Sequence, residues 1–412
     1  MIIFAAYACK DESGESSIDD FFLNYEITEI AVTSDIPVGA ILYNPAGSLQ
    51  NEEIWTRLTE ERIESQGHVG PFVQPVLGQY GLNVDTTGAL ALQQTIDWGL
   101  EARIDFFILP VVREERTRIY PRNIFSEDSA FINLFQMKND TLPAIELKEM
   151  KFALMTDMYG FCSNLNNGTL IETVMPATVY LDTYTEDVRD SVIISRVDQL
   201  YAYFVRLSDY FSDPNYYHIN GRPVVIMRDP QQLYAQNPAA VYQGIRDAVK
   251  QHSGKDIYLI AQQQAWTPPA RFTYFFLQGK VDAITMRNMC NVGGGNWDRT
   301  YFLPQMINEN FKYNREYIRT NFGIDFVPSV SPSYNYYPLS ATAYNEPQVP
   351  KNPDEFRKYC NVAKMNLGQT PLVIVDAFNN WETDSAIEPT VEGVGNGYGN
   401  RYLHLIREQF KK

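Results

Sequence analysis

The stretch that decides the fold reads Arg222-Pro-Val-Val-Ile-Met-Arg228, then Pro238-Ala-Ala-Val-Tyr-Gln-Gly-Ile-Arg-Asp-Ala-Val-Lys-Gln-His252, then Asp256-Ile-Tyr-Leu-Ile-Ala-Gln-Gln263. A short run, apolar almost throughout, is followed by a segment of helical period and by a second short apolar run. Continuous rather than alternating hydrophobicity is what a strand buried on both faces of a parallel sheet requires. A helix is the usual crossover between two such strands.

Outward from this unit the pattern repeats. Strands are expected at Ile36–Asn44, Ile104–Val112, Met150–Asp157, Arg222–Arg228, Asp256–Gln263, Val281–Met286, Ile324–Ser331 and Pro371–Phe378. Helices are expected at Thr86–Ala102, Glu127–Met137, Thr185–Phe211, Pro238–His252, Pro268–Gln278, Tyr301–Asn321, Asp354–Asn366 and Asn400–Phe410, the seventh announced by Asn352-Pro353-Asp354. Eight strand–helix units with no remainder predict a single (β/α)8 TIM barrel, of class α/β, over residues 34–412, with long loops at its C-terminal face. An open doubly wound sheet would announce itself by a glycine-rich first turn, and G-x-G-x-x-G is absent; Gly293-Gly294-Gly295 follows a late strand and reads as a loop. P-loop, G-x-S-x-G and H-E-x-x-H motifs are absent too.

Composition narrows the function. With 34 Lys+Arg against 50 Asp+Glu the formal charge is −16, so the chain has no basic surplus to displace counterions from nucleic acid. The four cysteines, Cys9, Cys162, Cys290 and Cys360, lie far apart, and the four histidines include no pair at metal-binding spacing. No metal and no cofactor is therefore expected. The first residues, Met1-Ile-Ile-Phe-Ala-Ala-Tyr-Ala-Cys9, precede a polar run from Lys10 to Asp20 and resemble the tail of a bacterial lipoprotein signal. On that reading residues 1–33 are a signal-like tether and N-terminal segment, Cys9 carries the lipid that is the protein's one membrane contact, and the protein lies in the cell envelope. The stretch lacks a basic start and full apolar length, and the alternative is an ordinary terminus.

In a barrel the chemistry sits at the carboxyl ends of the strands. Those ends here are Tyr43-Asn44, Arg113-Glu114-Glu115, Asp157 with Tyr159, Arg228-Asp229, Gln262 to Gln264 with Trp266, Arg287-Asn288, Ser331 with Tyr334-Asn335, and Asp376 followed by Asn379-Asn380-Trp381-Glu382-Thr383-Asp384 and Glu388. Amides, carboxylates and aromatic rings without histidine or cysteine suit a carbohydrate, whose hydroxyls need planar donors and acceptors and whose ring faces stack on indole and phenol. Aromatic content of 13%, with 27 tyrosines, fits that picture. Tyr43, Asn44, Arg228, Trp266, Arg287, Tyr334, Asn335, Asn379, Asn380 and Trp381 are the candidate sugar contacts. Glycoside hydrolysis uses two carboxyl groups, for which Glu382, Asp384 and Asp157 are the candidates.

Five segments carry a family resemblance. They are His68-Val-Gly-Pro-Phe-Val-Gln-Pro-Val-Leu-Gly-Gln-Tyr80, Gln94-Thr-Ile-Asp-Trp-Gly-Leu-Glu-Ala-Arg-Ile-Asp-Phe-Phe107, Tyr216-Tyr-His-Ile-Asn-Gly-Arg-Pro-Val-Val225, Asp325-Phe-Val-Pro-Ser-Val-Ser-Pro-Ser-Tyr-Asn335 and Phe378-Asn-Asn-Trp-Glu-Thr-Asp-Ser-Ala-Ile-Glu-Pro389. In this order the chain resembles the glycoside hydrolase family 99-like and WbsX-like barrels. The resemblance implies a (β/α)8 barrel acting on glycans, its hydrolase members being retaining endo-α-mannosidases and its WbsX-like members being labelled glycosyltransferases. It also implies a last-strand motif like Phe-Asn-Glu-Trp-x-Glu-Gly-x-x-x-Glu-Pro, whose first two glutamates carry the chemistry. Matched to this chain they fall on Asn380 and Thr383, while Trp381, Glu388 and Pro389 agree and Tyr43 matches a sugar-contacting tyrosine.

Asn and Thr neither supply nor accept a proton near neutral pH. Three functions follow as expectations: a hydrolase using Glu382 or Asp384 with Asp157, a catalytically silent glycan-binding barrel, or a glycosyltransferase whose Arg113, Arg228 or Arg287 holds a phosphate. The same arginines would equally suit the carboxylate of an acidic sugar.

Overall fold

A computed structural model describes residues 18–61, 70–83, 85–111, 145–163, 165–185, 188–292, 302–340 and 349–412, with the side chains of 18, 19 and 177–192 left aside. Cys9, the segment Arg113 to Glu115, the expected helix Glu127–Met137 and the glycines 293–295 lie outside the described residues. All eight expected strands form: β1 Val38–Ile41, β2 Phe106–Val111, β3 Lys151–Asp157, β4 Arg222–Arg228, β5 Tyr258–Gln263, β6 Ala283–Met286, β7 in two pieces, Asp325–Val327 and Ser329–Val330, and β8 Val373–Val375. Neighbouring strands of this set are all parallel.

Closure of the barrel falls within β7. Its first piece pairs with β6 and its second with β8, so the strand order begins and ends on one strand. Between the pieces stands Pro328, which has no N–H to give the ladder, while its carbonyl still accepts from the Ile374 N–H at 3.1 Å.

The continuous apolar runs divide into two sets by the alternation of side chains along a strand. Phe106 and Ile108, Ala153 and Met155, Val224 and Ile226, Tyr258 and Ile260, with Ile41, Ala283, Val327 and Ile374, form one cluster along the barrel axis. The residues between them, such as Phe107, Leu109, Leu154, Val225, Leu259 and Ile284, join the larger cluster made with the surrounding helices. Large rings fill the lower interior, where Phe106 stacks on Tyr217 with centroids 3.8 Å apart.

Around the barrel run helices at Thr86–Glu101, Arg196–Ser208, Pro238–Ser253, Leu303–Phe322, Pro353–Met365 and Arg401–Phe410. Asp85, Asn237 and Asn352 cap three of them through side-chain oxygens on backbone N–H groups. Two expected helices are corrected. Thr185–Phe211 opens with the second strand of an antiparallel hairpin, Val188–Ile194 paired with Ala177–Thr185, and turns helical only from Arg196; the β-branched run Val192-Ile193-Ile194 favours a strand. Pro268–Gln278 is a 3-10 turn, Pro269–Phe272, followed by a wide turn, Thr273–Leu277, broken at Phe275. A short helix, Glu52–Thr59, capped by Asn51, was not expected between β1 and its outer helix.

The ends of the described chain are tied to the barrel. Ile36 N–H donates to the Phe410 carbonyl at 2.8 Å and Lys411 Nζ to the Ile36 carbonyl at 2.9 Å. The Ile30 N–H donates to Asn361, and Lys364 Nζ returns a bond to the Ile30 carbonyl. Among the described residues no helix is long and apolar enough to cross a membrane.

One position tests the packing of the axis. A Cβ on Gly39 of β1 would sit 2.4 Å from Cζ of the buried Phe106 ring. Gly39→Ala is expected to destabilise the barrel by about 1–3 kcal/mol, the usual penalty of overpacking, in urea denaturation; an unchanged midpoint would show that the Phe106–Tyr217 stack yields freely.

Candidate functional site

Strand alternation places the polar residues of the mouth. Two residues beyond the last apolar side chain on the axis come Tyr43 after Ile41, Asp157 after Met155, Arg228 after Ile226, Gln262 after Ile260 and Asp376 after Ile374. Register aligns Asp157 with Arg228, Arg228 with Gln262 and Gln262 with Thr285, so these residues form one polar layer on top of the apolar one.

Above that layer opens a cavity of about 510 Å³. Tyr43, Arg228, Gln262, Arg287, Asn288 and Asp376 come to it from strand ends; Gln264, Ala265, Trp266, Asn291, Val292, Tyr334, Tyr336, Asn380 and Thr383 come from the loops beyond. Tyr334 and Tyr336 lie near parallel, with centroids 6.5 Å apart. Trp266, in a left-handed conformation with φ 61°, is fixed by its indole N–H on the Asn291 carbonyl at 2.9 Å. The Arg228 guanidinium lies 5.9 Å from the centre of the Tyr43 ring.

Of the ten expected sugar contacts, Tyr43, Arg228, Trp266, Arg287, Tyr334 and Asn380 line this cavity. The other four shape the loops around it. Asn44 Oδ1 accepts from the Leu82 N–H at 2.9 Å, and Asn335 Oδ1 from the Tyr337 N–H at 3.0 Å. Asn379 and Trp381 are each 1% exposed. Asn379 pairs with both backbone groups of Tyr43, accepting from its N–H at 2.8 Å and donating to its carbonyl at 2.9 Å, in the manner of a neighbouring strand. It also donates to the Tyr80 hydroxyl at 3.1 Å, which donates to Glu388 Oε2 at 2.7 Å; that oxygen accepts from the Trp381 indole at 2.9 Å as well.

None of the three expected catalytic carboxyls lines the cavity. Asp384 is buried against Lys351, Nζ to Oδ1 2.6 Å, in a left-handed turn with φ 49°. Burial pushes the Asp384 carboxyl up and the Lys351 amine down, each held back by the charge of the other. Asp157 stands beside Arg228 in the polar layer, at the start of the short helix Met158–Cys162. Glu382 is half-buried and hydrogen-bonded to the Ser48 side chain; burial raises its carboxyl, and Ser48 and the Arg228 charge offset part of that rise.

Among the described residues the carboxyl that does line the cavity is Asp376, which stands among the strand ends but not among the three expected carboxyls. Its Oδ2 accepts from the Asn288 N–H at 2.9 Å. Burial raises its proton affinity, while Arg228 and Arg287 counter that. Strand parity is the signal that singles it out, since Asp376 lies two residues past Ile374, and the same count finds Gln262. Among the described residues no three His, Cys, Asp or Glu side chains converge to hold a metal ion.

This architecture is that of a glycoside-hydrolase-like (β/α)8 barrel. A solved glycoside hydrolase-like protein is 25% identical, with a TM-score of 0.73 over 96% of this chain and 99% of that one. A GH99 endo-alpha-mannosidase from Bacteroides thetaiotaomicron shares the fold at 15% identity, with a TM-score of 0.52 over 92% of this chain and 97% of that one. No curated protein matches the chain. The chain belongs to the family described as glycosyltransferase WbsX, whose profile matches residues 190–406.

Glu388 holds the last loop in place and carries a pH signature. Burial raises its carboxyl to about 8, against the pull of the Tyr80 and Trp381 hydrogen bonds. An unfolded glutamate titrates near about 4.3, so between there and 8 the unfolded chain sheds a proton that the folded chain keeps, and stability falls as pH rises. Glu388→Gln keeps an oxygen for both donors and removes this dependence. From pH 5 to 8 the wild type should lose on the order of 3–4 kcal/mol relative to the variant in urea denaturation. Parallel pH profiles would mean that Glu388 is ionised in the folded state.

Proposed function

We propose that the barrel mouth is a glycan-binding site that captures a saccharide without the family's two-glutamate chemistry. The observation that carries this is the placement of Asn380 and Thr383: both positions implied for the catalytic glutamates open on the cavity, and neither bears a carboxyl group. The binding half of such a site is intact. A cavity of about 510 Å³ is within the ordinary range for ligand sites, roughly 300–1,000 Å³. Its rings at Tyr43, Trp266, Tyr334 and Tyr336 offer stacking faces, and its amides at Gln262, Gln264 and Asn380 offer paired donors and acceptors for hydroxyls.

A second reading is hydrolysis with Asp376, which lines the cavity, as one carboxyl and Glu382, which adjoins the lining residue Thr383, as the acid. The half-buried Glu382 carboxyl is shifted toward the protonated form, as a general acid needs. The transferase chemistry of the family's description would instead require a nucleotide- or lipid-linked sugar donor.

Purified protein incubated with neutral and acidic glycans, including α-mannans, separates these readings, with mass spectrometry for released sugar and calorimetry for binding. Capture predicts binding without release, weakened at least about tenfold, or ~1.4 kcal/mol, in Trp266→Ala. Release of sugar that Glu382→Gln or Asp376→Asn abolishes would replace capture with hydrolysis. Turnover only with an activated sugar donor would establish transfer.

A further inference from the structure

We infer that the captured glycan carries an anionic substituent, a carboxylate or a sulfate, that docks on Arg228. The inference deepens the glycan-binding reading above and rests on it. Two arginines reach the cavity, and the fold treats them differently. Arg287 is in direct contact with Asp229 Oδ2, and the other oxygen of that carboxylate accepts from the Gln231 amide at 3.0 Å. Asp229 is 6% exposed and left-handed, with φ 52°, so the chain turns sharply after β4 to keep this partner under Arg287.

Arg228 is left over. Its one ion-pair contact among the described residues is Nε at 3.8 Å from the Asp229 carboxylate that Arg287 already holds. Its side chain is 31% exposed, and it borders the cavity above the Tyr43 ring. A guanidinium presents five donors in a planar fork, and a partly sheltered one normally uses them. Asp157 and Asp376 stand near enough to Arg228 to act on its charge, but among the described residues neither comes within ion-pair distance, and Asp376 accepts instead from the Asn288 N–H. Around Arg228 the cavity presents neutral amides, Gln262 and Asn380 among them, which suit the hydroxyls of the same sugar. Two parallel charge-assisted bonds to one anionic group complete the fork, as a hydroxyl does only weakly.

The test uses matched ligands on the intact protein. Uronate oligosaccharides are compared with the same fragments after carboxyl reduction, and sulfated oligosaccharides with the same fragments after desulfation, by calorimetry. The anionic member of at least one pair should bind about tenfold or more tightly, and the pair that shows this names the group. In Arg228→Ala the ratio of anionic to neutral affinity should fall by about 10- to 100-fold. Arg228→Lys should retain part of that ratio, which keeps the test valid if the alanine variant does not fold. Arg287→Ala should lower the ratio less than Arg228→Ala. Neutral members bound as well as anionic ones, or a ratio unmoved in both Arg228 variants, would overturn the inference and leave glycan binding standing. Binding of none of these ligands, and of no neutral α-mannan, would overturn both.

Discussion

Every second residue of a barrel strand must face the axis, and in a closed eight-stranded barrel that axis is only wide enough for side chains. The rest of this molecule depends on that constraint. Phe106, Ile108, Met155, Ile226, Ile260 and Ile374 fill the axis up to one level. At the next inward position the chain switches to Tyr43, Asp157, Arg228, Gln262 and Asp376. The floor of the cavity is thus the last layer of a packed core, and its polar groups are held by strands whose own positions the core determines.

The roof is held differently. After β8 the chain makes a compact loop whose shape rests on buried polar contacts: Asn379 on the Tyr43 backbone, Trp381 and Tyr80 on one oxygen of Glu388, and Lys351 on Asp384. Each of these groups is desolvated, so removing one partner leaves the other unsatisfied and destabilises the turn. The consequence for function is selective. Asn380 and Thr383 are left facing the cavity, whereas Trp381 and Asp384 are turned inward as structure.

The barrel was legible in the sequence because strands buried on both faces of a parallel sheet read as continuous apolar runs, and eight of them alternate with helical segments without the glycine-rich turn of an open sheet. Strand ends were legible for the same reason, and Tyr43, Arg228 and Arg287 at the cavity follow from them. The loop after β8 was not. Glu382 and Asp384 lie two residues apart and would share a face in a strand, but the left-handed turn at Asp384 sends its carboxyl to Lys351, a residue 33 positions earlier. No local pattern marks that partner. Asp376 does not stand out among the strand-end residues until the inward parity of Ile374 is known. The hairpin Ala177–Thr185 with Val188–Ile194 was hidden because its β-branched residues continue directly into a helix of strong amphipathic period.

We read the mouth of this barrel as the seat of a glycan, with Asn380 and Thr383 at the two positions where the family resemblance implies glutamates. A crystal structure with a bound oligosaccharide tests this reading most directly. The reading predicts a sugar ring inside the cavity, stacked on Trp266, Tyr334 or Tyr43, with hydroxyls on Gln262 and Asn380. Sugar seated elsewhere on the protein, with the cavity holding only water in the same crystal, would contradict it.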